Sequence, residues 1–371
     1  MSTDFKARRN KVRTALFDRC DALLVTNETN VTWLTGFSGD STWLLLTETE
    51  EILISDFRYL IQLDEECPGV ATCIRKSQVR IHEAAADLIR DRKIGRIGVE
   101  SHALSFESFL QLNEALGDAE IVDTRWEIEE IRSVKDEGEL QEIREAVHLA
   151  AKGFDYLKAI LTPEITEVEL AHELEHAMRR FGADGVAFPP IIAVGDRGAL
   201  PHYRPGDLRI KDADTLLVDW GAQTRLRYKS DLTRTLVTGE LTQRFEEIYN
   251  VVLAAQEAAI AAIRPGKSCA EVDAVARDYI AEQGFGEYFD HGLGHGFGLN
   301  IHEQPRFSKL STQVLEAGMV VTVEPGIYVP GWGGIRIEDD VVVTSDGYEV
   351  LSAYVPKSLE SSIIHGLNTP R

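Results

Sequence analysis

Two segments of this chain each set a pair of acidic residues into apolar strands on either side of a short turn. Residues 215–220 (TLLVDW) and 228–237 (YKSDLTRTLV) read as strands closing around Arg225. Residues 320–329 (VVTVEPGIYV) and 334–343 (GIRIEDDVVV) repeat the pattern around Pro330-Gly331-Trp332-Gly333. Opposed residues of a hairpin are equidistant from its centre. A centre at Arg225 sets Asp219 opposite Asp231, and one at Gly331 sets Glu324 opposite Glu338, with Cβ atoms ~5 Å apart on one face. A bulge in either hairpin would break the pairing. Two ionised carboxylates that close in an apolar strand destabilise the fold unless they hold a proton or splay apart. One such pair is as well read as a solvated sheet face. Two, each at the same relation to its own turn, point to a divalent cation, because oxygen-rich sites suit hard or borderline metals.

Between the hairpins runs DHGLGHGFGLNIHE, residues 290–303, in which His291, His295 and His302 are separated by four glycines. Glycines there let the backbone approach a site closely or take positive φ. His202 stands in another loop, GALPHY, and alone reads as a surface histidine. His172-Glu173-Leu174-Glu175-His176 fits the zinc-protease pattern H-E-x-x-H. Val168, Ala171, Leu174 and Met178, however, form the apolar stripe of its helix, which leaves both histidines toward the polar side with no third ligand nearby. It reads as a chance match.

A length of 371 residues suggests two domains. The first ~130 alternate strands (22–26, 42–46, 52–54, 94–99) with helices (79–90, 106–116), as an α/β layer domain does. The boundary falls near Arg132, giving domains 1–131 and 132–371. From Arg132 to Leu161 the pattern predicts one long helix, followed by helices over 167–181, 243–263 and 270–283. Strand-rich segments flank the last two helices, which hints at an internal duplication. With 39 basic against 61 acidic residues the formal charge is -22, unsuited to nucleic acid or anionic membranes. No apolar run reaches the ~20 residues that span a bilayer, and residues 1–25 lack a signal-peptide core. Four cysteines without CxxC spacing suit the reducing cytoplasm.

Taken together, LVDWGA, YKSDLTRT, HGLGHGFGLNIHEQP, VTVEPGIY and GIRIEDD resemble the pita-bread metallopeptidases. That group includes aminopeptidase P, prolidase, methionine aminopeptidase and the metal-free creatinase. The resemblance covers about residues 135–355. NVTWLTGFSGD is similar to the amino-terminal domain of aminopeptidase P and short bacterial prolidases. The implied fold class is α/β (α+β), with a creatinase-like α/β domain followed by a pseudo-symmetric pita-bread catalytic domain. Two divalent ions per subunit are implied, with Mn(II) favoured and Co(II) or Zn(II) allowed. Asp219 would bind one ion, Asp231 and Glu338 would bridge both, and His295 and Glu324 would complete the other.

The resemblance further implies peptide hydrolysis by a water held between the ions, with Glu324, His302 and His202 as catalytic residues. Glu324 would move the proton and His302 would donate to the carbonyl or oxyanion. His202 and His291 would line the pocket for the residue after the scissile bond. Arg336 shares a strand face with Glu338 and either orients the carboxylates or forms a cross-strand salt bridge. Proline-containing peptides or dipeptides are the implied substrates and a homodimer the implied assembly. GFSGD leans toward Xaa-Pro aminopeptidase, which releases the amino-terminal residue. Prolidase, the Xaa-Pro dipeptidase, is the alternative. Methionine aminopeptidase and a catalytically inactive binding module are further ones.

Overall fold

The structure, a computed structural model, describes residues 4–367. The chain divides after Arg132 into two compact units. The first holds α1 (Phe5–Leu16), β1 (Ala22–Val25), α2 (Glu28–Thr35), β2 (Trp43–Thr47), β3 (Glu51–Asp56), α3 (Leu60–Glu66), β4 (Ala71–Arg75), α4 (Ile81–Asp91), β5 (Arg96–Val99), α5 (Phe106–Leu116), β6 (Glu120–Asp123) and α6 (Glu127–Ser133). Its six strands form one sheet in the order β4-β3-β2-β1-β5-β6. The central strands β1, β2 and β3 are antiparallel, while β4, β5 and β6 join in parallel. Every residue of β1 is buried, as expected of a strand covered on both faces.

The single long helix expected from Arg132 does not form. The chain breaks between α6 and α7 (Glu137–Ile160). Asp136 caps α7: its side chain accepts the Glu139 N–H, and Glu139 accepts the Asp136 N–H in return. This capping box satisfies amides that an uninterrupted helix would have used itself. The two residues before it pair elsewhere, with Val134 bridging Met319 and Lys135 N–H donating to the Gly318 carbonyl.

In the second unit a helix pair precedes a set of strands twice, which is the pseudo-symmetry of the fold. First come α7 and α8 (Glu167–Phe181), then β7 (Gly185–Val186), β8 (Ile191–Val194), β9 (Thr215–Trp220), β10 (Ala222–Gln223) and β11 (Leu232–Val237). The second set begins with α9 (Gln243–Ala262) and α10 (Cys269–Glu282). Its strands are β12 (Gly294–Gly296), β13 (Glu303–Phe307), β14 (Val320–Val323), β15 (Gly326–Val329), β16 (Gly333–Arg336), β17 (Asp339–Val343) and β18 (Tyr348–Val350), and α11 (Leu359–Ser362) follows. The main sheets run β11-β9-β8 and β13-β12-β14-β17-β18, with smaller pairs β15-β16 and β10-β7. One apolar core packs α7 and α8 on the first sheet, and another packs α9 and α10 on the second. Among the described residues no helix is long and apolar enough to cross a membrane.

The hairpin registers divide. In the second hairpin Val323 pairs with Asp339 on one side and Gly326 with Arg336 on the other, so Glu324 stands opposite Glu338 as expected. In the first, Asp219 pairs with Thr233, not with Asp231. The turn is centred on Leu226: Thr224 and Tyr228 close a three-residue loop whose last residue, Arg227, has φ 69°. Such loops place their third residue in the left-handed region, usually as glycine. The shift is two residues, so Asp231 keeps the face of Asp219 and becomes its diagonal neighbour.

Candidate metal centre

The two hairpins meet at one backbone bridge, where Glu338 N–H donates to the Thr233 carbonyl at 3.1 Å. Around this crossing Asp219, Asp231 and Glu338 are all buried, with one oxygen from each lying within 4.8 Å of the others. His295 Nε2 adds two contacts, to Glu324 Oε1 at 3.4 Å and Asp231 Oδ2 at 3.5 Å. The five residues of the expected ligand set therefore converge.

His295 owes its position to the glycines beside it. A Cβ on Gly294 would lie 2.1 Å from the Thr322 carbonyl oxygen, and one on Gly296 would lie 2.1 Å from that of Gln304. Only glycines let this three-residue strand fit between its neighbours. The His295 backbone N–H donates to Thr322 Oγ1 at 3.1 Å, and its Nδ1 donates to the Gly296 carbonyl at 3.1 Å. A proton on Nδ1 leaves the Nε2 lone pair facing the acids. Burial and the neighbouring His302 lower the His295 pKa to about 3, so the ring is neutral.

Burial pushes the carboxylates the other way. The Glu324 pKa rises to about 8. Asp231 and Glu338 rise well above the usual range through burial and mutual repulsion. Burial also raises Asp219, against the pull of Arg336. Asp219 Oδ1 is buried with no hydrogen-bond partner among the described residues. Four carboxylates and a neutral imidazole crowd together as acceptors, and such a set fits divalent cations.

Arg336 links the two hairpins. Its Nη2 meets Asp219 Oδ2 at 2.5 Å on the opposite hairpin, and its Nε donates to Thr233 Oγ1 at 3.0 Å. The Thr233 hydroxyl in turn donates to Glu338 Oε2 at 2.6 Å. Burial opposes the guanidinium charge, but Tyr328, Asp219, Glu324 and Glu338 hold the Arg336 pKa well above its usual value. Arg336 Nη1 also donates to Tyr328 OH at 2.8 Å, and that hydroxyl donates to His291 Nε2 at 2.9 Å. His291 Nδ1 donates to the Gly292 carbonyl at 2.8 Å, which fixes its tautomer.

Above the cluster opens a cavity of about 520 Å³. Phe188, Pro189, Ile191, Pro201 and Ile301 give it apolar walls, while His202, His291 and His302 contribute imidazoles and Arg204 and Arg306 cations. His302 is exposed and sets its ring edge-on to His295, with centroids 4.5 Å apart. Thr233, Tyr328 and Arg306 were not expected here. Thr233 follows Asp231 by two residues and Tyr328 follows Glu324 by four, and those even spacings were the available signal. Nothing in the sequence marked Arg306. His172 and His176 lie exposed on α8 and belong to no candidate ligand group: among the described residues the only group of three or more is Asp219, Asp231 and Glu338.

Residues 141–345 match the model of metallopeptidase family M24, and residues 8–134 match the creatinase/prolidase N-terminal domain. The uncharacterized peptidase YqhT of Bacillus subtilis is 38% identical over 339 residues, covering 91% of this chain and 95% of that protein. Among solved structures, the Xaa-Pro dipeptidase from Bacillus anthracis superposes with a TM-score of 0.92 at 38% identity, covering 97% of this chain and 100% of that one. The X-Pro aminopeptidase from Thermotoga maritima gives 0.87 at 35% identity, covering 96% and 99%.

Proposed function

The chain belongs to metallopeptidase family M24 and is a metal-dependent peptide hydrolase, and we propose that it cuts the Xaa-Pro bond at the amino terminus of short peptides. The observation that carries this reading is the cavity itself. Its apolar wall of Phe188, Pro189, Ile191 and Pro201 suits a pyrrolidine ring, and it stands directly over the carboxylate cluster. Relatives described as an Xaa-Pro dipeptidase and an X-Pro aminopeptidase support it.

In the proposed mechanism Asp219, Asp231, His295, Glu324 and Glu338 would together hold two divalent ions. Mn(II) is the best match to four carboxylates and one imidazole, with Co(II) and Zn(II) next. When bound, the ions lower the pKa of water and polarise the scissile carbonyl. Glu324 takes the proton of the attacking water and delivers it to the prolyl nitrogen as the bond breaks. His302 donates to the carbonyl oxygen as negative charge develops there. His202 and His291 close the proline pocket, and Tyr328 holds His291 in place. Arg336 keeps Asp219 and, through Thr233, Glu338 oriented toward the ions.

Of the two substrate lengths we place the dipeptide first. Arg306 lines the cavity and forms no ion pair among the described residues. A free guanidinium there is a receptor for the carboxylate that a dipeptide carries on its proline. Xaa-Pro aminopeptidase, favoured by the GFSGD segment, is the second reading, because a cavity of about 520 Å³ has room for more than a dipeptide. The family resemblance also supports a homodimer, which light scattering on the purified chain would test.

The Mn-loaded protein should be assayed on Ala-Pro, Ala-Pro-Ala and Met-Ala-Ser. Faster turnover of Ala-Pro supports the dipeptidase. Faster alanine release from the tripeptide moves the assignment to the aminopeptidase. Methionine release would overturn the proline pocket, and no turnover with Mn(II), Co(II) or Zn(II) would overturn the reading altogether.

A further inference from the structure

Behind the acidic cluster, on the opposite face of the same strands, lies a second polar assembly that the reaction does not use. Arg234 follows Thr233 in β11, and Asp339 follows Glu338 at the start of β17. Successive side chains on a strand point to opposite faces, so both turn away from the cluster. Arg234 and Asp339 are 2% and 1% exposed. The guanidinium uses all five of its N–H donors. Nε donates to the Pro356 carbonyl at 3.0 Å. Nη1 donates to the carbonyls of Thr233 at 2.9 Å and Glu338 at 2.5 Å. Nη2 donates to Asp339 Oδ1 and to the Val355 carbonyl, both at 2.8 Å.

Asp339 is equally saturated. Its Oδ1 also accepts from Ser352 Oγ at 2.8 Å, and its Oδ2 accepts from Lys357 Nζ at 2.7 Å and Gln256 Nε2 at 2.9 Å. The network continues to the other glutamate, since Gln256 Nε2 lies 3.4 Å from the carbonyl of Val323, the residue before Glu324.

We infer that Arg234, locked in orientation by Asp339, is a positioning residue that sets the separation of the two carboxylate-bearing hairpins and thereby the pocket for the second metal ion. Thr233 and Glu338 form the isolated bridge that joins those hairpins. One nitrogen of Arg234 clips the carbonyls of both. Asp219 lies opposite Thr233, and Glu324 lies opposite Glu338, so a change in spacing at this bridge moves one carboxylate pair relative to the other. A planar fork of fixed donors can hold such a spacing, whereas an ammonium on a flexible stem cannot.

A purely electrostatic role predicts something different. Arg234 and Lys357 against Asp339 leave one net positive charge behind four acids. Lys357 would then matter as much as Arg234, and Arg234→Lys would be harmless. Positioning predicts the reverse.

The test uses the full chain stripped of metal and titrated with Mn(II) by calorimetry, alongside electron paramagnetic resonance for the exchange-coupled ion pair. In R234K the second ion should bind about tenfold or more weakly, with loss of the coupled signal and an unchanged circular dichroism spectrum. K357M should bind both ions as the unaltered chain does. Binding of two ions with full affinity and a coupled signal in R234K overturns the inference, and so does an equal loss in K357M. If R234K does not fold, D339N carries the same test, because it removes the charge that orients Arg234: unaltered two-ion binding there overturns the inference, and a weakened second ion supports it. The inference rests on the five-ligand assignment. D231N tests that assignment separately by losing both ions, and no readout depends on which peptide is cut.

Discussion

Thr233 links the two halves of the metal centre: it stands opposite Asp219 in one hairpin, and its hydroxyl donates to Glu338 Oε2 in the other at 2.6 Å. The Thr233 hydroxyl oxygen also accepts from Arg336 Nε at 3.0 Å. Thr233→Val removes both bonds at once in a site that is fully buried. Leaving such groups unsatisfied costs about 1–3 kcal/mol, and losing an outer partner of a metal ligand lowers affinity by about 10–100-fold. Mn(II) titration of T233V should show a loss in that range, largely restored in T233S. Full affinity in T233V would remove Thr233 from the site.

Asp231→Asn should abolish activity and the binding of both ions. Asp231 is the carboxylate that lies within reach of Asp219, Glu338 and His295 together, and an amide carries no charge to share between two cations. Circular dichroism would confirm that the variant folds. Turnover of any Xaa-Pro substrate by the folded variant would sink the cluster.

The raised carboxyl pKa values make metal-free stability fall with pH. Glu324, moved up to about 8 by burial, binds a proton in the folded state that the unfolded chain has released. Asp231 and Glu338 shift in the same direction. By linkage, stability conferred by the protonated forms is complete below the unfolded carboxyl pKa of about 4.3 and drains away as pH rises through the folded value. His295 has the opposite sign, but its contribution is complete above its unfolded pKa of about 6.5. Between pH 6.5 and about 8 the acids act alone. The metal-free Tm should therefore drop across this window. Mn(II) should raise Tm more at pH 8.5 than at pH 6.5, since at the lower pH it must displace protons. A Tm increment that does not change with pH would contradict the assignment.

The cluster was more legible than its geometry. The second hairpin carries Gly331 at its centre with φ 74° and Gly333 two residues later, and those glycines mark the turn. The first hairpin puts Arg227 where such a loop usually has glycine, so nothing in the sequence showed that its centre lies at Leu226. Face survived the error because side chains alternate with period two, whereas register did not. The break at residues 134–136 was hidden for a related reason. Helical periodicity runs through it, and the cap at Asp136 is visible only once the backbone of Val134 and Lys135 finds partners at Met319 and Gly318. Thr233 and Tyr328 act through hydroxyls whose partners lie on other strands, and single-strand patterns do not record such pairings.

His172→Ala should leave stability within about 0.5 kcal/mol of the unaltered chain and activity unchanged. The residue is exposed on α8, and its neighbour Glu173 accepts a hydrogen bond from Tyr156 OH at 3.3 Å. Loss of Mn(II) binding or of turnover in H172A would revive the H-E-x-x-H motif as a metal site.

The pair Lys135–Glu303 should anchor the loop that carries His302. Lys135 Nζ lies 3.2 Å from Glu303 Oε2, with side chains 1% and 5% exposed. Glu303 directly follows His302, and its other oxygen accepts the Asn300 N–H at 2.9 Å. Gly298 packs against both partners: a Cβ there would lie 3.1 Å from Glu303 Oε2 and 3.2 Å from Lys135 Cε. Removing one member of a buried ion pair costs about 3–5 kcal/mol, while replacing both together is often near neutral. Lys135→Met should therefore lower Tm sharply, and K135M/E303Q should recover most of it, since glutamine still accepts from Asn300. The activity of K135M separates anchoring from general destabilisation. Measured well below its Tm, kcat should fall while Mn(II) affinity stays unchanged, because His302 touches the substrate and not the ions in the proposed mechanism. A K135M variant with unaltered kcat would show that the His302 loop keeps its place without the pair.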